Sequence, residues 1–239
     1  MGSVSRDFSA PPQKVVFKGL LFDMDGTIID STNAIVKHWN QLGDEIGVDP
    51  NVILETSHGR RSMDVLKIIA PEKANWEYIK HAEGLIPEKY GDDAVEIPGA
   101  RPLLDSLNRG AHPWAIVTSG TSPLVTGWLR VLKLPSPEHL VVAEDVPNGK
   151  PDPACYNLGK SKLSLSHAPP NSILVLEDSP AGIRAGKAAN CKVLAVVTSH
   201  TIEQVVDAGA DWVVRDLSSV TVVGTRDGGV ELEIANALI

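Results

Sequence analysis

The chain has 239 residues, a formal net charge of −8, 43% hydrophobic residues and two cysteines. That length suits one large domain or a domain with an added cap, and the acidic balance argues against a nucleic-acid partner. Cys155 and Cys191 make neither a disulfide framework nor a metal-ligand spacing, and no apolar run reaches the ~20 residues of a membrane span, so a cytoplasmic protein without a membrane partner is expected.

Residues 1–13 are polar and proline-containing, with no hydrophobic core for a signal peptide. The first apolar run, residues 15–22, reads as one buried strand despite Lys18. It ends in Asp23-Met24-Asp25-Gly26-Thr27, two carboxylates two residues apart in a turn that Gly26 allows to bend sharply. From residue 30 to about 96 the pattern is helical, as over 34–39 and 65–69, with no clear strand, and Pro98-Gly99 marks a turn back. Within that stretch His58-Gly59-Arg60-Arg61 sets a small residue beside cationic side chains suited to a polyol or a phosphate. The plain alternative is the first turn of a helix over 63–69. Trp39, Glu83 and Lys89 are further residues that could line a pocket.

Short runs rich in Val, Ile and Leu follow at 114–118, 140–143, 173–176, 193–197 and Trp212–Val214, as expected of strands covered on both faces. The spacing leaves room for crossover helices, which predicts a three-layer α/β fold with a parallel sheet. Polar residues punctuate the runs: Thr118-Ser119, then Gly149-Lys150-Pro151, then Glu177-Asp178. In open α/β sheets ligands sit outside the carboxyl ends of strands, so these stations and the Asp23 turn are the expected site. Residues 221–223 and 230–234 around Asp227-Gly228-Gly229 read as a hairpin.

Four such stations in this order, with a cap-sized stretch between the first and second, resemble the haloacid dehalogenase superfamily phosphatases. Asp23-Met24-Asp25-Gly26-Thr27, Thr118-Ser119, Lys150 and Glu177-Asp178-Ser179 match the four family motifs. Ser57-His58-Gly59-Arg60, residues 86–91 and Glu177-Asp178-Ser179-Pro180-Ala181-Gly182 are similar to the fungal glycerol-3-phosphatases, whose near relatives act on 2-deoxyglucose 6-phosphate. The resemblance implies a Rossmann-like core over 1–29 and 97–239 and a helical cap over 30–96.

It also implies a Mg²⁺-dependent phosphomonoesterase acting on a small phosphorylated polyol or sugar. Asp23 is the expected nucleophile, forming an aspartyl-phosphate. Asp25 is the expected general acid and then base, which calls for a raised pKa. Converging carboxylates around a phosphate call for a hard cation. Its expected ligands are Asp23, the Asp25 backbone carbonyl and Asp178, with Glu177 joining directly or through water. Thr118, Ser119 and Lys150 would bind the phosphoryl group, with Lys150 also offsetting charge on Asp23. His58, Gly59 and Arg60 would meet the substrate's polyol or its phosphate, and the protein is expected to act as a monomer. Two rivals share these motifs: a phosphomutase of the same fold, and a protein that binds a phosphometabolite without catalysis.

Overall fold

The structure, a computed structural model, describes residues 7–57 and 59–239. In chain order it runs β1 (Gln13–Phe17), β2 (Gly19–Phe22), β3 (Ile29–Asp30), α1 (Thr32–Ile46), α2 (Pro50–Ser57), α3 (Ser62–Ile69), α4 (Trp76–Lys89) and β4 (Val95–Glu96). There follow α5 (Ala100–Arg109), β5 (Trp114–Val117), α6 (Ser122–Val131), β6 (His139–Val141), α7 (Ala154–Lys162), β7 (Ile173–Glu177) and α8 (Pro180–Ala188). The order closes with β8 (Lys192–Val196), α9 (Ile202–Asp207), β9 (Trp212–Val214), β10 (Val220–Arg226) and β11 (Gly229–Ile234).

Six parallel strands in the order β6-β5-β2-β7-β8-β9 form the central sheet. Alternation along each strand sends side chains to opposite faces. Leu20, Phe22, Ile116, Leu174, Leu176 and Leu194 pack on one face with α5 residues such as Leu103, Leu104 and Leu107 and with β11. Leu21, Ala115, Val117, Val175 and Val193 pack on the other, against Tyr156 of α7, Ile183 of α8 and Val205 of α9. Both faces are covered, which is why the strands read as continuous apolar runs. The chain order reverses at β2: β5 and β6 lie to one side of it, β7 to β9 to the other. A crevice at the carboxyl ends of β5, β2 and β7 is the ligand position this topology creates.

The single strand expected over 15–22 is two strands in two sheets. Residues 13–17 pair antiparallel with β11, whereas β2 enters the parallel sheet. Lys18 is the break: its Nζ donates to the Asp227 carbonyl at 2.6 Å, because an ammonium group is not buried between apolar layers without a partner. The expected hairpin is β10–β11. Asp227 and Gly228 both have positive φ, 52° and 67°, which two-residue type I′ turns need.

Residues between 32 and 89 fold as four α-helices, and Trp39, Leu42, Ile53, Met63, Val65, Leu66 and Ile79 form a hydrophobic cluster of their own. Strands do occur at the edges of this stretch, contrary to the reading of no strand there. Ile29 pairs with Glu96 and Asp30 with Val95, antiparallel, where the chain leaves and returns. Two-residue strands carry no periodicity for a sequence to show. Among the described residues no helix is long and apolar enough to cross a membrane.

Candidate active site

Asp23, Thr118 and Asp178 each directly follow the last residue of β2, β5 and β7. Three neighbouring strands of one sheet therefore deliver them to one place, at the reversal of strand order. Asp23 is 6% exposed and Lys150 is 5% exposed. Lys150 Nζ donates to Asp23 Oδ1 at 2.5 Å, to Glu177 Oε1 at 2.7 Å and to the Val117 carbonyl at 3.3 Å. It thus stands behind Asp23 and is not among the residues lining the cavity described below.

Glu177 is fully engaged. Its Oε1 accepts from Lys150 and from the Tyr156 hydroxyl at 2.9 Å. Its Oε2 accepts from the backbone N–H groups of Asp178 and Ser179, both at 2.9 Å, and from Ser179 Oγ at 3.0 Å. The first turn of α8 closes over it because residue 182 is Gly: a Cβ there would lie 1.6 Å from Glu177 Oε1. Asp178 accepts from Thr27 Oγ1 at 3.4 Å and from the Ser199 hydroxyl. Gly26, at φ 88°, allows this approach, since a Cβ there would stand 2.1 Å from Asp178 Oδ2. Asp25 Oδ1 accepts from Ser31 Oγ at 2.6 Å. Tyr156, Ser199 and Ser31 were missed in the sequence. Ser199 alone carried a signal, a hydroxyl just beyond the carboxyl end of β8, the strand beside β7.

The charges are unbalanced. Carboxylate oxygens of Asp23, Glu177 and Asp178 lie within 4.8 Å of one another. Burial, opposed by Lys150, pushes the Asp23 carboxyl up to about 8. Burial, with the Glu177 and Asp23 charges next, raises Asp178 well above the usual range. Glu177 goes the other way: burial would raise it, but Lys150 and its hydrogen bonds outweigh that and hold it low. Lys150 itself is raised, because Asp23 and Glu177 together overcome the burial that would lower it. One ammonium cannot neutralise three buried carboxylates, and the excess negative charge on hard oxygen donors fits a divalent cation.

A cavity of about 90 Å³ opens on this floor, lined there by Asp23, Asp25, Thr118 and Asp178. The helical stretch supplies the facing wall through Trp39, Gly59, Arg60, Ser62 and Glu83. Thr118 Oγ1 accepts from the Gly120 N–H at 3.0 Å, so its own O–H remains to donate. Ser119 also lines the cavity, but its hydroxyl donates to the Gly59 carbonyl at 2.9 Å. Arg61, 3% exposed, is a strut instead: it donates to the carbonyls of Ala143, Val146 and Pro147 and pairs with Asp64. Lys89 borders a different cavity, between α1 and α4. His58 lies outside the described residues.

Fold and floor together define an α/β protein with acidic and hydroxyl groups gathered on strand ends at the reversal of a doubly wound sheet. Residues 20–196 match the model of the haloacid dehalogenase-like hydrolases, and the chain belongs to that family. It is 38% identical over 217 residues to glycerol-1-phosphate phosphohydrolase 1 of Saccharomyces cerevisiae, covering 88% of this chain and 87% of that one. It is 36% identical over 234 residues to 2-deoxyglucose-6-phosphate phosphatase 1 of the same yeast, covering 91% and 95%. Among solved structures it is similar to a hydrolase from Pseudomonas syringae, with a TM-score of 0.71 and 25% identity over 84% of this chain and 94% of that one.

Proposed function

We propose that this phosphoric monoester hydrolase removes phosphate from glycerol 3-phosphate or glycerol 1-phosphate, or from a similarly small polyol or sugar phosphate, through an aspartyl-phosphate on Asp23. The observation that carries the reading is the Asp23 carboxylate on the floor of a small cavity, one oxygen held by Lys150 and Asp25 close by. With Oδ1 tethered, Oδ2 is left to attack phosphorus while the ester P–O bond breaks. Asp25, aimed by Ser31, gives its proton to the leaving alkoxide. It then takes one from the water that attacks phosphorus, releasing phosphate and regenerating the Asp23 carboxylate.

The Thr118 hydroxyl and Arg60 would hold phosphate oxygens, a role supported by their lining the cavity. Asp23, the Asp25 backbone carbonyl and Asp178 would hold Mg²⁺, which would neutralise charge on the phosphate and the carboxylates. Glu177, with every oxygen already engaged, tethers Lys150. Ser119, its hydroxyl committed to Gly59, offers the substrate its backbone N–H. Residues 30–96 serve as the cap over the core of 1–29 and 97–239, which the separate hydrophobic cluster of the helices supports. The protein is read as acting as a monomer, and the buried free thiols of Cys155 and Cys191 fit a reducing cytoplasm.

The cavity, far below the ~300–1,000 Å³ of drug-sized ligand sites, favours glycerol phosphate over hexose phosphates. The likeness to a 2-deoxyglucose-6-phosphate phosphatase keeps that sugar phosphate as the second reading. The test is phosphate release from glycerol 3-phosphate, glycerol 1-phosphate, 2-deoxyglucose 6-phosphate and p-nitrophenyl phosphate, with Mg²⁺ and with EDTA. Metal-dependent release fastest on a glycerol phosphate is expected. Faster release from the sugar phosphate moves the substrate, and none from any of them removes the hydrolase reading.

A further inference from the structure

Glu83 of α4 is a buried carboxyl, 4% exposed, in the cavity wall opposite Asp23 and Asp25. Its Oε1 accepts from Ser62 Oγ at 2.5 Å and its Oε2 from the Thr121 N–H at 2.8 Å. Both donors are neutral, no cation is hydrogen-bonded to the group among the described residues, and burial raises its pKa. A carboxyl left in this state is costly unless a further hydrogen bond meets it. Each carboxylate oxygen has two acceptor positions, and the donors from Ser62 and Thr121 leave at least one of the four open. They fix the plane of the group and leave acceptor capacity on a side chain that lines the cavity.

We infer that Glu83 is a specificity-determining residue that accepts a hydrogen bond from a hydroxyl on the phosphate-free end of the substrate. The inference rests on the phosphatase reading above and deepens it. A phosphate dianion is repelled by a carboxylate, so the phosphate lies at the Asp23 and Thr118 end and the carbon skeleton extends toward Glu83. The same repulsion acts on any second anionic group, so neutral polyol phosphates are accepted and phosphorylated acids are refused. A site built to bind a hydroxyl also discriminates against an analogue that lacks it, because its polar group is then left unpaired.

The experiment compares kcat/KM for glycerol phosphate, propyl phosphate and 3-phosphoglycerate in the wild-type protein, Glu83→Ala and Glu83→Gln. The wild type is expected to prefer glycerol phosphate over propyl phosphate by roughly tenfold to a hundredfold, the worth of one hydrogen bond to a charged group. That ratio, not the overall rate, is the readout, since loss of a merely structural contact lowers both substrates together. Glu83→Ala is expected to bring the ratio to within about threefold of one. A ratio unchanged in folded Glu83→Ala overturns the inference and leaves the phosphatase reading standing. Should Glu83→Ala fail to fold, Glu83→Gln decides: use of 3-phosphoglycerate relative to glycerol phosphate should rise about tenfold, and no rise overturns the inference. No hydrolysis of any of the three by the wild type overturns the glycerol-phosphate reading and this inference with it, while release from 2-deoxyglucose 6-phosphate in the same assay leaves the phosphatase reading standing.

Discussion

Asp23 answers to several neighbours at once, and its substitution separates chemistry from folding. Asp23→Asn keeps the size of the side chain and an oxygen for Lys150 but cannot form the acyl phosphate. Turnover should drop by at least about 10³-fold, with the circular-dichroism spectrum unchanged. Activity retained within tenfold would mean that another group attacks phosphorus. Tyr156→Phe removes one donor from Glu177 Oε1 in a buried network. A hydrogen bond to a charged group contributes about 1.5–3 kcal/mol, so the free energy of unfolding read from denaturant titration should fall by that much. Because Glu177 also holds Lys150, kcat should fall with it, and a stable variant of unchanged kcat would show that Tyr156 does not help to position the lysine. The Tyr156 hydroxyl was illegible in the sequence for a physical reason. Tyr156 lies within α7 and meets Glu177 across 21 residues, and a hydroxyl at such a separation carries no spacing rule, whereas Ser199 at least stands just past a strand end. The carboxylates were legible because they sit on the ends of apolar runs.

Elements of the sheet were readable to the extent that burial was two-sided. β5, β7, β8 and β9 appear in the sequence as short Val, Ile and Leu runs, whereas the change of sheet at Lys18 is hidden inside one apolar run. The contact between the helical stretch and the core was equally hidden, since Arg61 looks like a surface residue until its carbonyl partners at 143, 146 and 147 are in place. Arg61→Ala would leave those carbonyls without their donor, at a cost of about 2–4 kcal/mol. A lower denaturation midpoint of that size, together with more rapid proteolysis between 50 and 75, is the expected outcome. An unchanged midpoint would show that the strut adds nothing to stability.

Taken as a whole, the molecule stores excess negative charge in its site, and this sets how stability varies with pH. In the unfolded chain the Asp23 carboxyl titrates near 3.8, whereas in the fold burial raises it to about 8. Over that interval the folded protein binds more protons than the unfolded one, so stability falls as pH rises. His38, lowered to about 4 from 6.5 by burial, acts in the opposite sense below 6.5. The clear window is therefore from about pH 6.5 to about 8, where Asp23 acts and Asp178, also raised, reinforces it. In EDTA, Tm should fall across this window by the equivalent of about 1–2 kcal/mol. Added Mg²⁺ should raise Tm more at the upper end, because cation binding displaces the protons held there. Scanning calorimetry at both ends, with and without metal, checks this, and a flat or rising Tm in EDTA would contradict the charge imbalance.

β2 precedes every other strand of the central sheet in the chain, yet its two neighbours are β5 and β7, and β1 just before it pairs with residues 230–234. During synthesis the segment carrying Asp23 leaves the ribosome before either flank of its sheet has been translated. Some 150 residues must follow before residues 173–177 can seat beside it, and more than 50 beyond those before β1 is stitched down. Long-range pairing of this kind is slow and leaves apolar edges open while it waits. The nascent chain therefore carries an unfinished β2 through most of translation. Its apolar residues 19–22 are the segment a chaperone would have to shield, and a ribosome stalled before residue 173 would display the helices of 32–89 beside an unassembled sheet.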